Sequence, residues 1–443
     1  MNENFNPYED KLIYHSIGDK KTLKVGIISD SQIIPSNKKE DEWLKIFSEH
    51  LKKALEVLKL HQIEVLIFAG DLTDSGTEYA YDEILSIYKS VYKNEEEKPI
   101  FNYIMGNHDY CISYMENGKF CPKFGEPKEL QFLFFNKLKE KPFSHKVING
   151  YHFINWGSED GSDNPNTNID WIESQIKIAL EDDKNKPIFV TTHYAAEDTV
   201  YGSNDWGTKS IKTILKKYPN IIHFSGHSHF SLIDERSIWQ KEFTSIQTQS
   251  VSYIELDKGF ENGPYPCDEY GSIQEAGRNF MGLIMNVNQS QIEILRISLE
   301  KDKLYGEPWI IELPCDINNF KYTLDKRIKE RNNPRFIFEN EDDKKIIFEN
   351  DEKIKNGIAF KFKAAYHENF VHTYKLQLIN DKNEINEKLY CSDFYLLPED
   401  RKKILRFNLK KEGIPPGLYK VKIFAVESFG KQSDNFLEGE LKL

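Results

Sequence analysis

Five short polar clusters occur in order along the chain, each directly after an aliphatic run: Asp30-Ser31-Gln32; Gly70-Asp71-Leu72-Thr73-Asp74; Gly106-Asn107-His108-Asp109; Thr192-His193; and Gly226-His227-Ser228-His229. Their carboxylate, imidazole and carboxamide groups are the oxygen and nitrogen donors that hard-to-borderline cations take, and no cysteine is among them. Singly, each cluster has an ordinary reading. An Asp after a strand is usually a turn residue, Asn107 would be a cap or turn, and His227 and His229 could be surface side chains. All five ordinary readings would have to hold at once, in order and each after a strand, which weighs against them as a set.

Together the GDxxD, GNHD and GHxH elements resemble the signature of the calcineurin-like metallophosphoesterases, over roughly residues 22–313. The resemblance implies an α+β fold, a four-layer α/β/β/α sandwich, and two divalent or trivalent metal ions (Mn, Fe or Zn). It implies that Asp30, Gln32, Asp71 and His229 hold one ion and that Asp71, Asn107, His193 and His227 hold the other, with Asp71 as the bridge. The implied reaction is hydrolysis of a phosphate mono- or diester by a bridging hydroxide between metals about 3.5–4 Å apart. His108 is the implied proton donor to the leaving group, oriented by Asp74, since a carboxylate beside an imidazole raises its pKa and fixes its tautomer. Two dications against Asp30, Asp71 and one hydroxide leave the site cationic and able to attract phosphate.

The family's first motif is commonly DxH, and here Gln32 stands where His is usual. A carboxamide oxygen keeps the charge balance but is a weaker, harder donor, so it should loosen that metal or favour Mn over Zn. Gly70, Gly106 and Gly226 leave room for close backbone approach beside the ligands. Asp109 either orients a neighbouring ligand or caps a turn. Tyr110, Tyr194, Tyr201 and Trp206 either stack on a substrate or close a core. The other histidines, among them His145, His152 and His223, take surface or core roles.

The elements that must position these clusters read as buried strands joined by covering helices. Strands are expected at Leu23–Ser29, Glu64–Ala69, Ile100–Met105, His152–Trp156, Pro187–Thr192 and Ile221–Ser225. Helical spacing covers Trp43–Leu60, Glu78–Tyr92 and Ile169–Leu180, the last begun by a cap from Asn168 or Asp170. Later strands are expected at Met281–Val287, Gln291–Ser298 and Trp309–Leu313, after a long loop or lid at Asp257–Asn279. A polar loop at Asn164–Asn168 could border the cleft. Beyond Cys315 and a charged connector, Asp325–Asn333, the pattern becomes short alternating strands: Phe336–Phe338, Lys345–Phe348, Ile358–Ala364, Thr373–Leu378, Lys403–Asn408 and Leu418–Val426. That pattern predicts an all-β sandwich. Gly413–Ser428 resembles the late strands of fibronectin type III or immunoglobulin-like modules. Two domains follow, 22–314 for the metallophosphoesterase and 330–443 for the sandwich.

At 443 residues, with 13% aromatic residues, the chain is long enough for two cores. Its net charge of −12 argues against general nucleic-acid binding or an anionic membrane surface. The five cysteines include no CxxC pair and are expected to be reduced. Met1–Lys24 lacks an apolar signal, and no segment approaches a membrane span, so the expected location is the cytoplasm. Abundant Lys, Asn, Ile and Glu with scarce Ala fit an AT-rich bacterial genome. The expected partner is a small phosphate ester. For the sandwich, packing on the catalytic domain and binding a partner both stay open. The alternative function is a degenerate metal-binding or partner-binding module without turnover, for which Gln32 is the support.

Overall fold

The protein is described from a computed structural model covering residues 5–9, 11–18, 20–34, 42–112, 115–116, 119–120, 123–162, 168–257, 279–351 and 357–443. The chain divides into two compact units. The first comprises Met1–Leu232, Ser237–Ile254 and Gly277–Lys326, and the second Ile233–Arg236, Glu255–Ala276 and Arg327–Leu443. Most of the loop expected at Asp257–Asn279, most of that at Asn164–Asn168, and Cys121 and Cys267 lie outside the described residues. Cys111 and Cys315 are free thiols.

The first unit contains two large sheets. One has six strands in the order Lys303–Glu312, Gln291–Ser298, Met281–Val287, Leu23–Ile28, Val65–Ala69, Ile100–Ile104. Its last three strands are parallel, whereas Met281–Val287 runs antiparallel to Leu23–Ile28. Val65–Ala69 reads VLIFA and is buried throughout, as expected of a parallel strand covered on both faces. The covering layer is supplied by Glu42–Leu60 and Glu78–Val91. Leu51, Leu55 and Leu58 recur at helical spacing and pack with Ile28, Leu66 and Phe68, joined by Ile84 and Tyr88. Thr77 begins the second of these helices by accepting from the Ala80 amide.

The other sheet has seven strands in the order Ile13–His15, Phe143–Ile148, Tyr151–Trp156, Ile188–Thr191, Ile221–Ser225, Thr244–Gln247, Ile238–Gln240. Ile172 and Ile176 of helix Ile169–Asp182, with Ile211 and Ile214 of Lys209–Leu215, pack on its Ile154, Trp156 and Val190. A buried amide pair joins the two sheets: Asn102 Nδ2 donates to Asn155 Oδ1 at 2.7 Å, and Asn155 Nδ2 donates to Tyr103 O at 3.0 Å. Asn168 stands at the start of Ile169–Asp182 but its side chain caps no helix amide. Its Oδ1 instead accepts from the Tyr8 hydroxyl.

In the second unit, Ile347–Asp351, Gly357–Lys363 and Ile404–Lys410 form one antiparallel sheet. Ile385–Cys391, Thr373–Ile379, Leu418–Val426 and Leu437–Lys442 form another. Both sheets contribute to one core, including Phe360, Phe362, Phe407, Tyr374, Leu376, Val421 and Ile423. The expected strand at Phe336–Phe338 is not one. Arg335 makes a single bridge to Tyr366, and Phe336 contributes its ring to the core rather than its backbone to a ladder. Among the described residues, no helix is long and apolar enough to cross a membrane.

Candidate metal centre

Each of the five clusters leaves the end of a strand in the first unit: Asp30 after Leu23–Ile28, Asp71 after Val65–Ala69, Asn107 after Ile100–Ile104, His193 after Ile188–Thr191, and His227 after Ile221–Ser225. The backbone turns abruptly there. Among the described residues, eleven that are not glycine have positive φ, and five of them are Asp30 (53°), Gln32 (42°), Asp71 (50°), His227 (71°) and His229 (56°). Left-handed backbone is costly for residues with a Cβ, and its concentration in one place points to a functional constraint. Two glycines permit the approach. A Cβ on Gly106 would lie 2.2 Å from Asp71 Oδ1 and 2.7 Å from His193 Cε1; one on Gly226 would lie 2.6 Å from Asp30 Oδ2.

His193 has its proton placed by the fold. Nδ1 lies 2.9 Å from the Ala69 carbonyl, an acceptor only, so Nδ1 carries a hydrogen. Burial opposes a second proton, but the Asp71 and Asp30 charges hold the imidazole up at about 9, so a metal ion at Nε2 would displace a proton. Nε2 is 3.0 Å from Asn107 Oδ1 and 3.1 Å from Asp71 Oδ2. Asp71 Oδ1 accepts the His108 amide at 2.8 Å, whereas Oδ2 is buried and accepts no hydrogen bond among the described residues. Ligand atoms of Asp71, His193 and His227 all lie within 4.8 Å of one another.

A second acid–imidazole pair stands deeper. Asp30 Oδ1 is 3.3 Å from His229 Nε2, and both Asp30 oxygens accept the His227 amide at 3.2 Å. Asp30, Gln32, Asp71 and His229 are at most 3% exposed, whereas Asn107, His108, His227 and Asp74 are half-buried. The constellation therefore has a closed side and an open side.

On the open side, His108 Nδ1 lies 3.1 Å from the Asp74 carbonyl and 3.5 Å from its carboxylate. Burial opposes its ionisation, but the Asp71 and Asp74 charges outweigh burial and hold the imidazole up at about 10. Burial also opposes the charge on Asp71, yet the His193 and His108 rings hold its carboxyl well below the usual range. The buried acids thus call for positive charge, which a proton or a cation can supply.

Asp109 has a structural task. Its Oδ2 accepts the Gly106 amide at 2.9 Å and the Leu72 amide at 3.2 Å. Its Oδ1 accepts the Thr73 amide at 3.0 Å, the Thr73 hydroxyl at 2.7 Å and the Tyr81 hydroxyl at 3.4 Å. It ties the loop carrying Asp71 to the loop carrying Asn107. Burial and the charge of Asp71 push its carboxyl up to about 6, against the pull of these donors.

Of the four aromatics, Tyr194 and Trp206 have ring centroids 4.5 and 5.4 Å from that of His227 and are half-buried. Tyr110 and Tyr201 are buried, Tyr110 donating to Ser158 O at 2.6 Å and Tyr201 packed on Phe230. His145 and His152 form a buried pair with their nitrogens 2.8 Å apart, and His223 lies between Thr192 and Ser245.

A sixth cluster escaped the sequence reading. Thr248–Ser252, reading TQSVS, follows strand Thr244–Gln247 and grips the first cluster: Ser250 Oγ donates to Asp30 O at 2.9 Å, and Ser252 Oγ donates to Gln32 Oε1 at 3.2 Å. The signal was weak, because the strand before this run reads TSIQ, with a single aliphatic residue, and the run lacks the carboxylates and imidazoles that drew attention elsewhere.

The donor set fits cations. Asp71 Oδ2, Asn107 Oδ1 and His193 Nε2 meet within hydrogen-bonding distance, an arrangement that a proton on Nε2 satisfies and that a metal ion can satisfy in its place.

Residues 23–231 match the model of a family described as calcineurin-like phosphoesterase. No curated protein matches the chain. Among solved structures, similar chains include a dimetal phosphatase from Danio rerio, at 9% identity and TM-score 0.43, covering 66% of this chain and 98% of that one. The anchor GAP50 of the Plasmodium inner membrane complex is similar at 12% identity and TM-score 0.38, over 68% of this chain and 93% of that one. A purple acid phosphatase from yellow lupin is similar at 12% identity and TM-score 0.41, over 66% of this chain and 54% of that one.

Proposed function

We propose that the first unit is a dinuclear-metal phosphoesterase, built as a four-layer α/β/β/α sandwich, that hydrolyses a small phosphate mono- or diester. The observation that carries this reading is the meeting of three potential ligand atoms, Asp71 Oδ2, Asn107 Oδ1 and His193 Nε2, with the opposite ring nitrogen of His193 held by the Ala69 carbonyl. The match of residues 23–231 to the calcineurin-like phosphoesterase family supports it independently.

Asp30, Gln32, Asp71 and His229 would hold one ion, and Asp71, Asn107, His193 and His227 the other. Bound there, two divalent or trivalent ions would supply Lewis acidity to a phosphoryl oxygen and lower the pKa of water. His108 acts on the open side. Its Nδ1–H donates to the Asp74 carbonyl, so the proton available for transfer is on Nε2, and the departing oxygen receives it as the P–O bond breaks. Asp74 keeps the ring in that orientation and its charge favours the protonated form. Tyr194 and Trp206 stand beside His227, where they would border a substrate's organic group. The second unit is a β-sandwich that binds a partner or packs on the enzyme.

The test is turnover of 4-nitrophenyl phosphate and bis(4-nitrophenyl) phosphate by chelator-stripped protein reloaded with Mn, with Asp71→Asn as control. Expected are metal-dependent hydrolysis and a loss of about 10²-fold or more in the variant, on the scale of removing a group that stabilises charge in the transition state. Undiminished turnover by Asp71→Asn would sink the reading. A second reading, a binding module without turnover, is favoured by one observation: Gln32 Oε1 already accepts from Ser252. Two bound metals without hydrolysis of either ester, or one metal only, would favour it.

A further inference from the structure

We infer that Ser250–Tyr253 is a positioning clamp for the deeper metal, with Ser252 setting the Gln32 carboxamide so that its oxygen can act as a ligand. This inference rests on the proposed metal centre and assigns roles to residues outside the five clusters.

The clamp touches three of the four ligands of that ion. Ser250 Oγ donates to Asp30 O at 2.9 Å, and the Ser252 amide donates to the same carbonyl at 3.2 Å. The Ser252 hydroxyl lies 3.2 Å from Gln32 Oε1. The Tyr253 ring packs on the His229 ring with centroids 4.3 Å apart. A backbone bridge between Ser29 and Ser250 fixes the register. Ser250 and Ser252 are fully or almost fully buried.

The Ser252 hydroxyl is placed to select which way the carboxamide faces. Ser250 has one hydroxyl proton, and the Asp30 carbonyl, an acceptor only, takes it. The Ser252 N–H is shared between that carbonyl at 3.2 Å and Ser250 Oγ at 3.0 Å, and the Tyr253 N–H reaches Ser250 Oγ at 3.3 Å. Ser252 Oγ lies 2.8 Å from Ser250 Oγ and 3.2 Å from Gln32 Oε1, and in the clamp its proton goes to Gln32. A hydroxyl that donates selects the carboxamide oxygen over its nitrogen, and the oxygen's second lone pair stays available. Glutamine, with three side-chain torsions and two chemically opposite ends, needs such selection. Ser252 is thus a positioning residue for the Gln32 carboxamide.

The experiment is calorimetric titration of the chelator-stripped full chain with Mn, with bound metal counted by elemental analysis. Wild type is expected to bind two ions. Ser252→Ala should weaken one site by about 10-fold or more, the range for losing a partner that orients a metal ligand, and leave the other unchanged. Ser252→Thr keeps the hydroxyl and should stay within about threefold of wild type, well inside that range. In the Gln32→Ala background, adding Ser252→Ala should cause no further loss, because its effect passes through Gln32. Thermal unfolding separates misfolding from lost positioning: an Ala variant that melts like wild type but binds one ion weakly supports the clamp. Equal affinities in wild type and Ser252→Ala, or an undiminished further loss in the Gln32→Ala background, overturn it. Failure of wild type to bind two ions overturns the metal centre itself, and the clamp with it.

Discussion

Replacing Asp109 with Asn should loosen the whole centre although Asp109 is offered as no metal ligand. The substitution preserves shape and exchanges one carboxylate oxygen for an NH2 group. Both oxygens of Asp109 face donors: the amides of Gly106 and Leu72 at Oδ2, and the amide and hydroxyl of Thr73 with the Tyr81 hydroxyl at Oδ1. One orientation of the new amide turns it against the Gly106 and Leu72 N–H groups; the other turns it against the Thr73 N–H alone, because the Thr73 and Tyr81 hydroxyls can rotate to accept, so at least one hydrogen bond is lost in a fully buried place. With about 1.5–3 kcal/mol for each hydrogen bond to a charged acceptor, and with part offset by removing a charge that burial and Asp71 disfavour, the expected loss is about 2 kcal/mol. That is a large share of the roughly 5–15 kcal/mol by which a domain is stable. The assay is urea unfolding followed by tryptophan fluorescence at pH 8, above the value of about 6 to which burial and Asp71 push Asp109, so that the wild-type carboxylate is ionised. Asp109→Ala, which strips acceptors from all five donors, should cost at least as much. A loss under about 1 kcal/mol for Asp109→Asn, the net worth of one ordinary hydrogen bond, would refute the keystone reasoning.

Three further outcomes follow from particular contacts. Burial, with His152 alongside, holds His145 down at about 4, so the folded state resists its protonation. Its contribution is present above the unfolded pKa of about 6.5 and is lost, by up to about 3 kcal/mol, as pH falls towards 4; urea midpoints for His145→Gln should fall less over that window, and parallel curves would count against the assignment. Gly106→Ala places a Cβ 2.2 Å from Asp71 Oδ1 and should destabilise by about 1–3 kcal/mol, the range for overpacking, with loss of bound metal by elemental analysis. A variant with full metal content would show that the loop can give way. His108→Asn should slow an alkyl phosphate by about 10²–10⁴-fold but 4-nitrophenyl phosphate far less, because a good leaving group needs little protonation. Equal losses for the two substrates would remove the acid role from His108.

Much of the fold was legible because its signals are redundant. Buried parallel strands such as VLIFA are apolar without interruption, and each expected site residue follows one of them. The strand Phe143–Ile148 was missed because it reads FSHKVI, with buried polar groups that obscure its pattern. Lys146 is compensated by Glu140 and His145 by His152, pairings that the strand's own alternation does not announce. Ile385–Cys391 was missed because one side of this edge strand is exposed and its middle is charged. Phe336–Phe338 misled in the opposite direction, since its aromatic alternation reflects a ring buried in the core without any ladder. In the site, residue types announced the possible ligands, but the support beneath them did not announce itself. Asp109 offered two readings in sequence, and four of its five donors come from Leu72, Thr73 and Tyr81, far before it in the chain. Ser252 is chemically ordinary, and its place depends on a strand pairing more than two hundred residues from Gln32.

The left-handed backbone at Asp30, Gln32, Asp71, His227 and His229 sets the demands of folding against those of chemistry. Glycine would relieve the conformational cost at each of these positions, about 1 kcal/mol or more apiece, and would delete a proposed ligand each time. Selection for thermal endurance alone, as in a screen that scores only survival of heating, would therefore drift towards glycine at these five sites and return a hardier protein with an emptied centre. The same positions suggest how to recognise a relative that has given up catalysis: not by loss of its strands, but by glycines appearing where the backbone had been held against its preference.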